Sequence, residues 1–371
     1  MTSKYLNLYL LIFLTLLQLL IANEDGDQQD LDGIRNERTC RRCLGRLQPA
    51  GLIKQLKTLR LNRRWENEKE FRKGIRFKYY RNGEKVYESA SDETSALAKS
   101  GCSPDEKFAF IMHGWRQSCE TEWVLTLIER LTYHRGGCIV CIDYAFFAQD
   151  SYMWLYRSFR RISNVITKRM LLLINEGFNP DNGYMFGFSF GGQLASAVGR
   201  SLSKDYLFRS IDTCDMAGPG FDVFTHIDHR DAARHVQCLH SSRDKGTRIY
   251  TCHQNVRLGS CGHFQPAASS QPYYSSHGLC VQIYINAFDY PFYAMQYEPT
   301  WCASKRAATN IPYKYTIGYN ETPNSNIRGE IFVPTSLHFP YNFSEKEMLM
   351  LGFFDENVEI SSGNYDQTVE T

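Results

Sequence analysis

The stretch YMFGFSFGGQLASAVG, residues 184–199, sets Gly187, Gly191 and Gly192 around one serine in an otherwise apolar run. If an apolar strand ends here and a helix begins, Ser189 sits on a sharp turn, and close packing of the two elements leaves no room for side chains beside it. Gly187 and Gly191 occupy the two crowded places of this elbow. Ser189 is thereby pushed out at the strand end, with the N-terminus of the following helix beneath it.

Working outward, FAFIMHG (108–114) reads as a buried strand breaking at a glycine and CIVCIDY (138–144) as a second. YRSFRRISNVITKRMLLLINEG (156–177) is an amphipathic helix stopped by Gly177. YMFGF (184–188) is a third strand and QLASAVGRSLS (193–203) a second helix. Strands alternating with helices predict an α/β fold with a mostly parallel sheet flanked by helices, whose working residues lie at strand ends. A chain of 371 residues fills one large domain or two ordinary ones. Lys plus Arg number 42 against 40 for Asp plus Glu, so the total charge does not ask for nucleic acid or a membrane surface.

A serine hydroxyl needs a base, and a carboxylate to orient that base, and in such folds they follow in the order Ser, Asp, His. LFRSIDTCDMAGPGFD (207–222) offers Asp212 and Asp215 at the end of a short strand. His226, His229, His235, His240, His253, His263 and His277 all follow, and spacing does not choose among them. The four histidines of HIDHRDAARHVQCLH match no usual zinc spacing, so no metal and no cofactor are expected.

Residues 1–22 carry a short n-region with Lys4, an apolar run and Ala22, the pattern of a signal peptide and hence of a secreted, extracellular protein. An uncleaved anchor is the competing reading. All 12 cysteines follow this segment, and an even count in an exported chain favours disulfides, a local Cys40–Cys43 bridge among them. Asn320-Glu-Thr and Asn342-Phe-Ser are glycosylation sequons. Residues 23–74 form a polar, charge-rich N-terminal extension with a solvated helix-like run. Residues 75–354 form the main domain, and residues 355–371, with five acidic and no basic residues, an acidic tail.

The blocks FAFIMHGW, GFSFGG, DMAGPGF, VQCLH, HQNVRLG with QPA, SHGLC with FDYPF, and RGEIFVPT resemble, in order, those of the pancreatic-lipase family, including its insect lipases and phospholipases A1. The resemblance implies an α/β-hydrolase fold and hydrolysis of lipid carboxylic esters at a lipid interface. It also implies Ser189 as nucleophile, Asp215 as acid with Asp212 as runner-up, and His277 as base with His263 as competitor. Trp115 and Phe190 are implied as the backbone N–H donors of the oxyanion hole, with His113 a structural turn residue. The chain departs from the family pattern at Phe188, where His is usual, and at Met216, where Pro is usual.

The lid interval of the family corresponds to Ala267–Ser276, AASSQPYYSS, which is short for a helical lid; within the family a shortened lid resembles the phospholipase A1 branch, so the resemblance implies a substrate of that kind. Tyr273 and Tyr274 within it read equally as aromatic packing. A neutral lipase is the alternative, and a silent lipid-binding relative of the yolk-protein kind a second. An interaction protein using the Arg-rich N-terminal segment is a third. With the sequence ending at residue 371, no C-terminal β-sandwich domain and no colipase partner are expected.

Overall fold

The structure is a computed structural model that describes residues 68–223, 226–270 and 275–354. The signal segment, most of the extension, Cys40, Cys43, Tyr273, Tyr274 and the acidic tail lie outside the described residues.

Among the described residues, nine strands form one sheet: β1 (Arg76–Arg81), β2 (Glu84–Ala90), β3 (Phe108–Met112), β4 (Cys138–Asp143), β5 (Gly183–Phe188), β6 (Phe208–Cys214), β7 (Ala233–His240), β8 (Gln254–Leu258) and β9 (Gly329–Val333). Their order is β2-β1-β4-β3-β5-β6-β7-β8-β9. β1 runs antiparallel to β2 and β4, and every pair from β4 to β9 is parallel. The antiparallel edge comes from a hairpin turning at Asn82-Gly83, both at positive φ (51° and 81°), as a two-residue turn requires. The rest is the α/β-hydrolase sheet implied by the resemblance.

Continuous apolar runs become central strands because both sheet faces are covered. In β3, Phe108, Phe110 and Met112 enter one core while Ala109 and Ile111 enter the other. The α-helices among the described residues are α1 (Glu68–Lys73), α2 (Ala96–Ser100), α3 (Glu122–His134), α4 (Ala145–Ala148), α5 (Tyr152–Asn175), α6 (Phe190–Leu202), α7 (Ala267–Ser270), α8 (Ser276–Asn286) and α9 (Glu345–Met350). α5 and α6 cover the first face, α3 and α8 the second. α5 holds through Leu155, Ile162, Val165, Ile166, Met170 and Leu173. Each such side chain contributes about 1.5–3 kcal/mol on burial, which outweighs the weak helix propensity of its β-branched members. Arg169 of the same helix is fully buried and donates to Tyr79 Oη (2.8 Å) and Ser89 Oγ (3.1 Å), tying α5 to the hairpin.

Two helix starts differ from the sequence reading. α5 begins at Tyr152 rather than at residue 156, because Ser151 caps it by accepting from Trp154 N. α6 begins at Phe190 rather than 193, with Gly191 and Gly192 in its first turn, where Gly191 lies against the backbone of Met112 and His113 and Gly192 against Met216. Phe71 of α1, within the stretch read as extension, is buried against Phe147 (centroids 4.5 Å).

Eight of the ten described cysteines pair: Cys102–Cys138, Cys119–Cys141, Cys238–Cys252 and Cys261–Cys302. Cys214 and Cys280 are buried thiols, and burial pushes both up from the usual thiol range. No described helix is long and apolar enough to cross a membrane.

Candidate active site

Ser189 links β5 to α6 at φ 54°, ψ −118°, a conformation that costs a non-glycine residue of order 1–3 kcal/mol. The surroundings enforce it. A Cβ on Gly187 would come within 2.4 Å of Gly191 O, and one on Gly191 within 2.2 Å of Met112 O, so only glycine lets strand and helix approach. Ser189 N donates to Cys214 O (2.9 Å), and Ser189 O accepts from Gly192 N (3.0 Å) and Ala217 N (3.0 Å). The residue is 8% exposed, at the strand end.

Asp215 follows the last residue of β6, also at positive φ (41°), and its side chain is fully buried. Its Oδ1 accepts from Ser241 N (2.8 Å) and Ser242 N (3.1 Å), and its Oδ2 from Ser242 Oγ (2.5 Å) and His277 Nδ1 (2.6 Å). A carboxylate only accepts, so Nδ1 carries the proton and Nε2 is left as the acceptor for Ser189 Oγ at 2.9 Å. His277 lies in the first turn of α8, where Ser275 caps by accepting from Gly278 N (3.1 Å). Ser189, His277 and Asp215 thus form one hydrogen-bonded line.

The runners-up sit elsewhere. Asp212 lies inside β6 and accepts on Oδ2 from Tyr284 Oη (2.5 Å) and Tyr184 Oη (3.1 Å). Burial pushes its carboxyl up to about 6 against these bonds. Tyr284 is on the helix that carries His277, so this pair ties α8 to β6. Among the described contacts, His263 meets neither Ser189 nor Asp215; its carbonyl accepts from Arg243 N (3.0 Å), and burial lowers its imidazole. His229 pairs with Ser196 (2.6 Å), His235 stacks on His253, and His240 meets Asn255. Burial holds all four near 4. Among the described residues, no three His, Cys, Asp or Glu gather as a metal site.

The stretch after β3 is held from both sides of Trp115. Gly114 N donates to Gln117 Oε1 (2.8 Å) and Arg116 N to Ala148 O (2.9 Å). The backbone N–H groups of Trp115 and Phe190 have no hydrogen-bond partner among the described residues. His113 is fully buried, stacked on Tyr144 and 3.5 Å from Asp143. Burial alone would raise Asp143, but bonds from His113 and Lys78 hold its carboxyl well below the usual range. Phe188 lies against the His277 ring (centroids 4.7 Å), and Met216 packs beneath Gly192.

Two supporting residues escaped the sequence reading. Ser242 donates to Asp215 and accepts from Gly246 N (3.0 Å); no motif marks it. Gln265, read only as part of a block before the lid, is buried and donates to Ser241 O (3.1 Å) and Leu258 O (3.0 Å). It accepts from Thr335 Oγ1 (2.9 Å), and its backbone N–H donates to Ser276 Oγ (2.9 Å) at the start of α8. It therefore joins the Asp215 loop to the His277 helix. Of the sequons, Asn320 is exposed, whereas Asn342 is half-buried and its Nδ2 donates to Pro291 O (2.8 Å).

A family model described as Lipase matches residues 41–281. The chain belongs to the lipase family. Within that family it is similar to the pancreatic triacylglycerol lipase of Myocastor coypus (22% identical over 157 residues, 42% of this chain and 34% of that one). It is likewise similar to the inactive pancreatic lipase-related protein 1 of Canis lupus familiaris (23% over 162 residues, 43% and 35%). The chain spans about a third of the length of these curated relatives. Among solved structures, EstE5 aligns with a TM-score of 0.28 and 16% identity over 39% of this chain and 60% of that one. Lipase membership gives the hydrogen-bonded line a chemical context.

Proposed function

We propose that the protein is a lipid carboxylic-ester hydrolase with Ser189 as nucleophile, His277 as general base and acid, and Asp215 as the carboxylate that fixes the imidazole. The observation that carries this reading is the unbroken line from Ser189 Oγ to His277 (2.9 Å) and on to Asp215 (2.6 Å) in a member of the lipase family. His277 Nε2 takes the hydroxyl proton as Oγ attacks the ester carbonyl. It returns that proton to the alcohol oxygen as the ester C–O bond breaks, leaving an acyl-enzyme. Water, deprotonated by the same nitrogen, then releases the fatty acid and restores Ser189. The N–H groups of Trp115 and Phe190 receive the developing oxyanion, each worth about 3 kcal/mol of transition-state stabilisation.

We further assign a phospholipid substrate of the phospholipase A1 kind and a secreted, extracellular protein. Two observations support this. α7 uses four residues of the interval before α8, which leaves little chain to cover the serine. The four disulfides among the described residues fit an oxidising compartment. Purified protein given phosphatidylcholine or a triglyceride tests the assignment. Fatty acid leaving the first glycerol position of the phospholipid, and none with Ser189→Ala, is the expected result. Triglyceride preference reassigns it as a neutral lipase, and a folded protein inert to both substrates is a silent relative.

A further inference from the structure

A cleft of about 670 Å³ lies apart from Ser189, Asp215 and His277, walled by four separate segments. Arg230 stands just before β7, Arg248 to His253 lead into β8, Ala303 to Ala307 form a third wall, and Arg328 stands just before β9. Two disulfides brace this frame, Cys238–Cys252 at the β8 lead-in and Cys261–Cys302 beside the third wall.

The charge of the lining is one-sided. Arg230, Arg248, Lys305, Arg306 and Arg328 all face it, in a chain whose formal net charge is only +2. Glu330 is the sole lining carboxylate among the described residues, and it is already committed: Arg257 Nη1 donates to it at 2.7 Å, and the backbone N–H groups of Lys305 (3.0 Å) and Arg306 (3.3 Å) donate to its other oxygen. Arg230 is paired with Asp228. The side chains of Arg248 and Arg328 donate to the carbonyls of Arg243 (3.3 Å) and Ser325 (3.0 Å), which leaves their charge uncompensated. Among the described residues, no carboxylate pairs with Arg248, Lys305, Arg306 or Arg328 in this cleft.

Like charges gathered from four segments repel one another, and a ligand bearing several negative charges relieves that repulsion where a neutral or singly charged one leaves most of it. The volume suits a compact ligand rather than a polymer segment. Arginine forks match the oxygens of phosphate esters in paired fashion. We propose that this cleft is a binding site for a compact polyphosphate, the chemistry shared by phosphoinositide head groups and soluble inositol polyphosphates. It stands independently of the reading at Ser189.

His253 supplies a reporter. It is half-buried, its Nδ1 accepts from Val236 N (3.1 Å), and burial followed by the fields of Arg328 and Arg230 holds it near 4. A polyanion that neutralises those arginines raises it.

The test titrates the full chain at low ionic strength with inositol hexakisphosphate. In parallel, phosphatidylcholine vesicles with and without phosphatidylinositol bisphosphate are assayed by flotation. Binding is expected to weaken with added salt and to fall about tenfold or more in K305E/R306E, both of which are exposed. It is expected to survive in K204E/K346E, which makes the same charge change elsewhere. The His253 titration, followed by NMR, should move to higher pH on binding in the parent protein and in K204E/K346E only. Binding to both probes identifies a lipid head group, and binding to the soluble probe alone a soluble polyphosphate. The proposal is overturned by absent binding of both probes at low salt or by binding unchanged in K305E/R306E.

Discussion

The elbow around Ser189 and the cradle around Asp215 converge on one imidazole, yet they are built in opposite ways. The elbow is six consecutive residues, Gly187 to Gly192, shaped by excluded volume: two glycines stand where any Cβ would enter backbone atoms. The cradle brings Ser241 and Ser242 onto a residue some 27 positions earlier and holds it through hydrogen bonds, with Gly246 behind it at a place where a Cβ would come within 2.4 Å of Asp215 Oδ1. Excluded volume is all-or-none, so the elbow tolerates nothing. Hydrogen bonds are graded, so the Ser241 and Ser242 contacts can be weakened stepwise.

The largest effect expected on the cradle side is Asp215→Asn, which keeps the shape but offers His277 the wrong tautomer. A fall in kcat of about 10⁴-fold with unchanged folding is expected by steady-state kinetics. On the elbow side, Gly191→Ala places a methyl 2.2 Å from Met112 O. A loss of about 4 kcal/mol in urea denaturation, or no folded protein, is expected, because neither backbone can retreat. Should that variant be stable and active, the contrast between the regions disappears. Ser242→Ala removes one donor of four to Asp215 and should lower kcat about tenfold, leaving stability within about 1–3 kcal/mol of the parent.

The smallest effect concerns Asp212, a carboxylate of the same strand without such a cradle. Its folded value, about 6, lies above the ordinary 3.8, so its stabilising share is present below about 4 and lost as pH rises through about 6. His229, His235, His240 and His253, held near 4 against 6.5, act in the other direction: their share is present above 6.5 and lost as pH falls towards 4. Four groups outweigh one, so stability should fall on acidification across this window. Asp212→Asn should steepen that fall, measured as urea midpoints against pH.

This contrast also explains what could be read from the sequence. The elbow was legible because its cause is contiguous: glycines, a serine and flanking apolar runs carry the whole steric argument. The parallel sheet was legible from apolar runs such as FAFIM and CIVCID, which need two covered faces. The choice between Asp212 and Asp215, three residues apart, was not legible from spacing, since it depends on β6 ending at Cys214 and on two tyrosines from β5 and α8. It came from the family block. Ser242 and Gln265 were invisible as supports because their partners come from remote loops. The start of α6 lies three residues before the expected Gln193 because the elbow's own Phe190, Gly191 and Gly192 already form the first helical turn, which apolar periodicity beginning at Leu194 does not mark. The basic cleft was hidden by a nearly balanced total charge, since its cations are spread from residue 230 to 328.

The central claim is that Ser189 is a nucleophile activated by His277. Labelling the folded protein with a fluorophosphonate and locating the adduct by peptide mass spectrometry tests it most directly. The account predicts one adduct, on Ser189, abolished by Ser189→Ala and strongly reduced by His277→Ala. Absence of label on folded protein, or an adduct on another residue that survives Ser189→Ala, would contradict it.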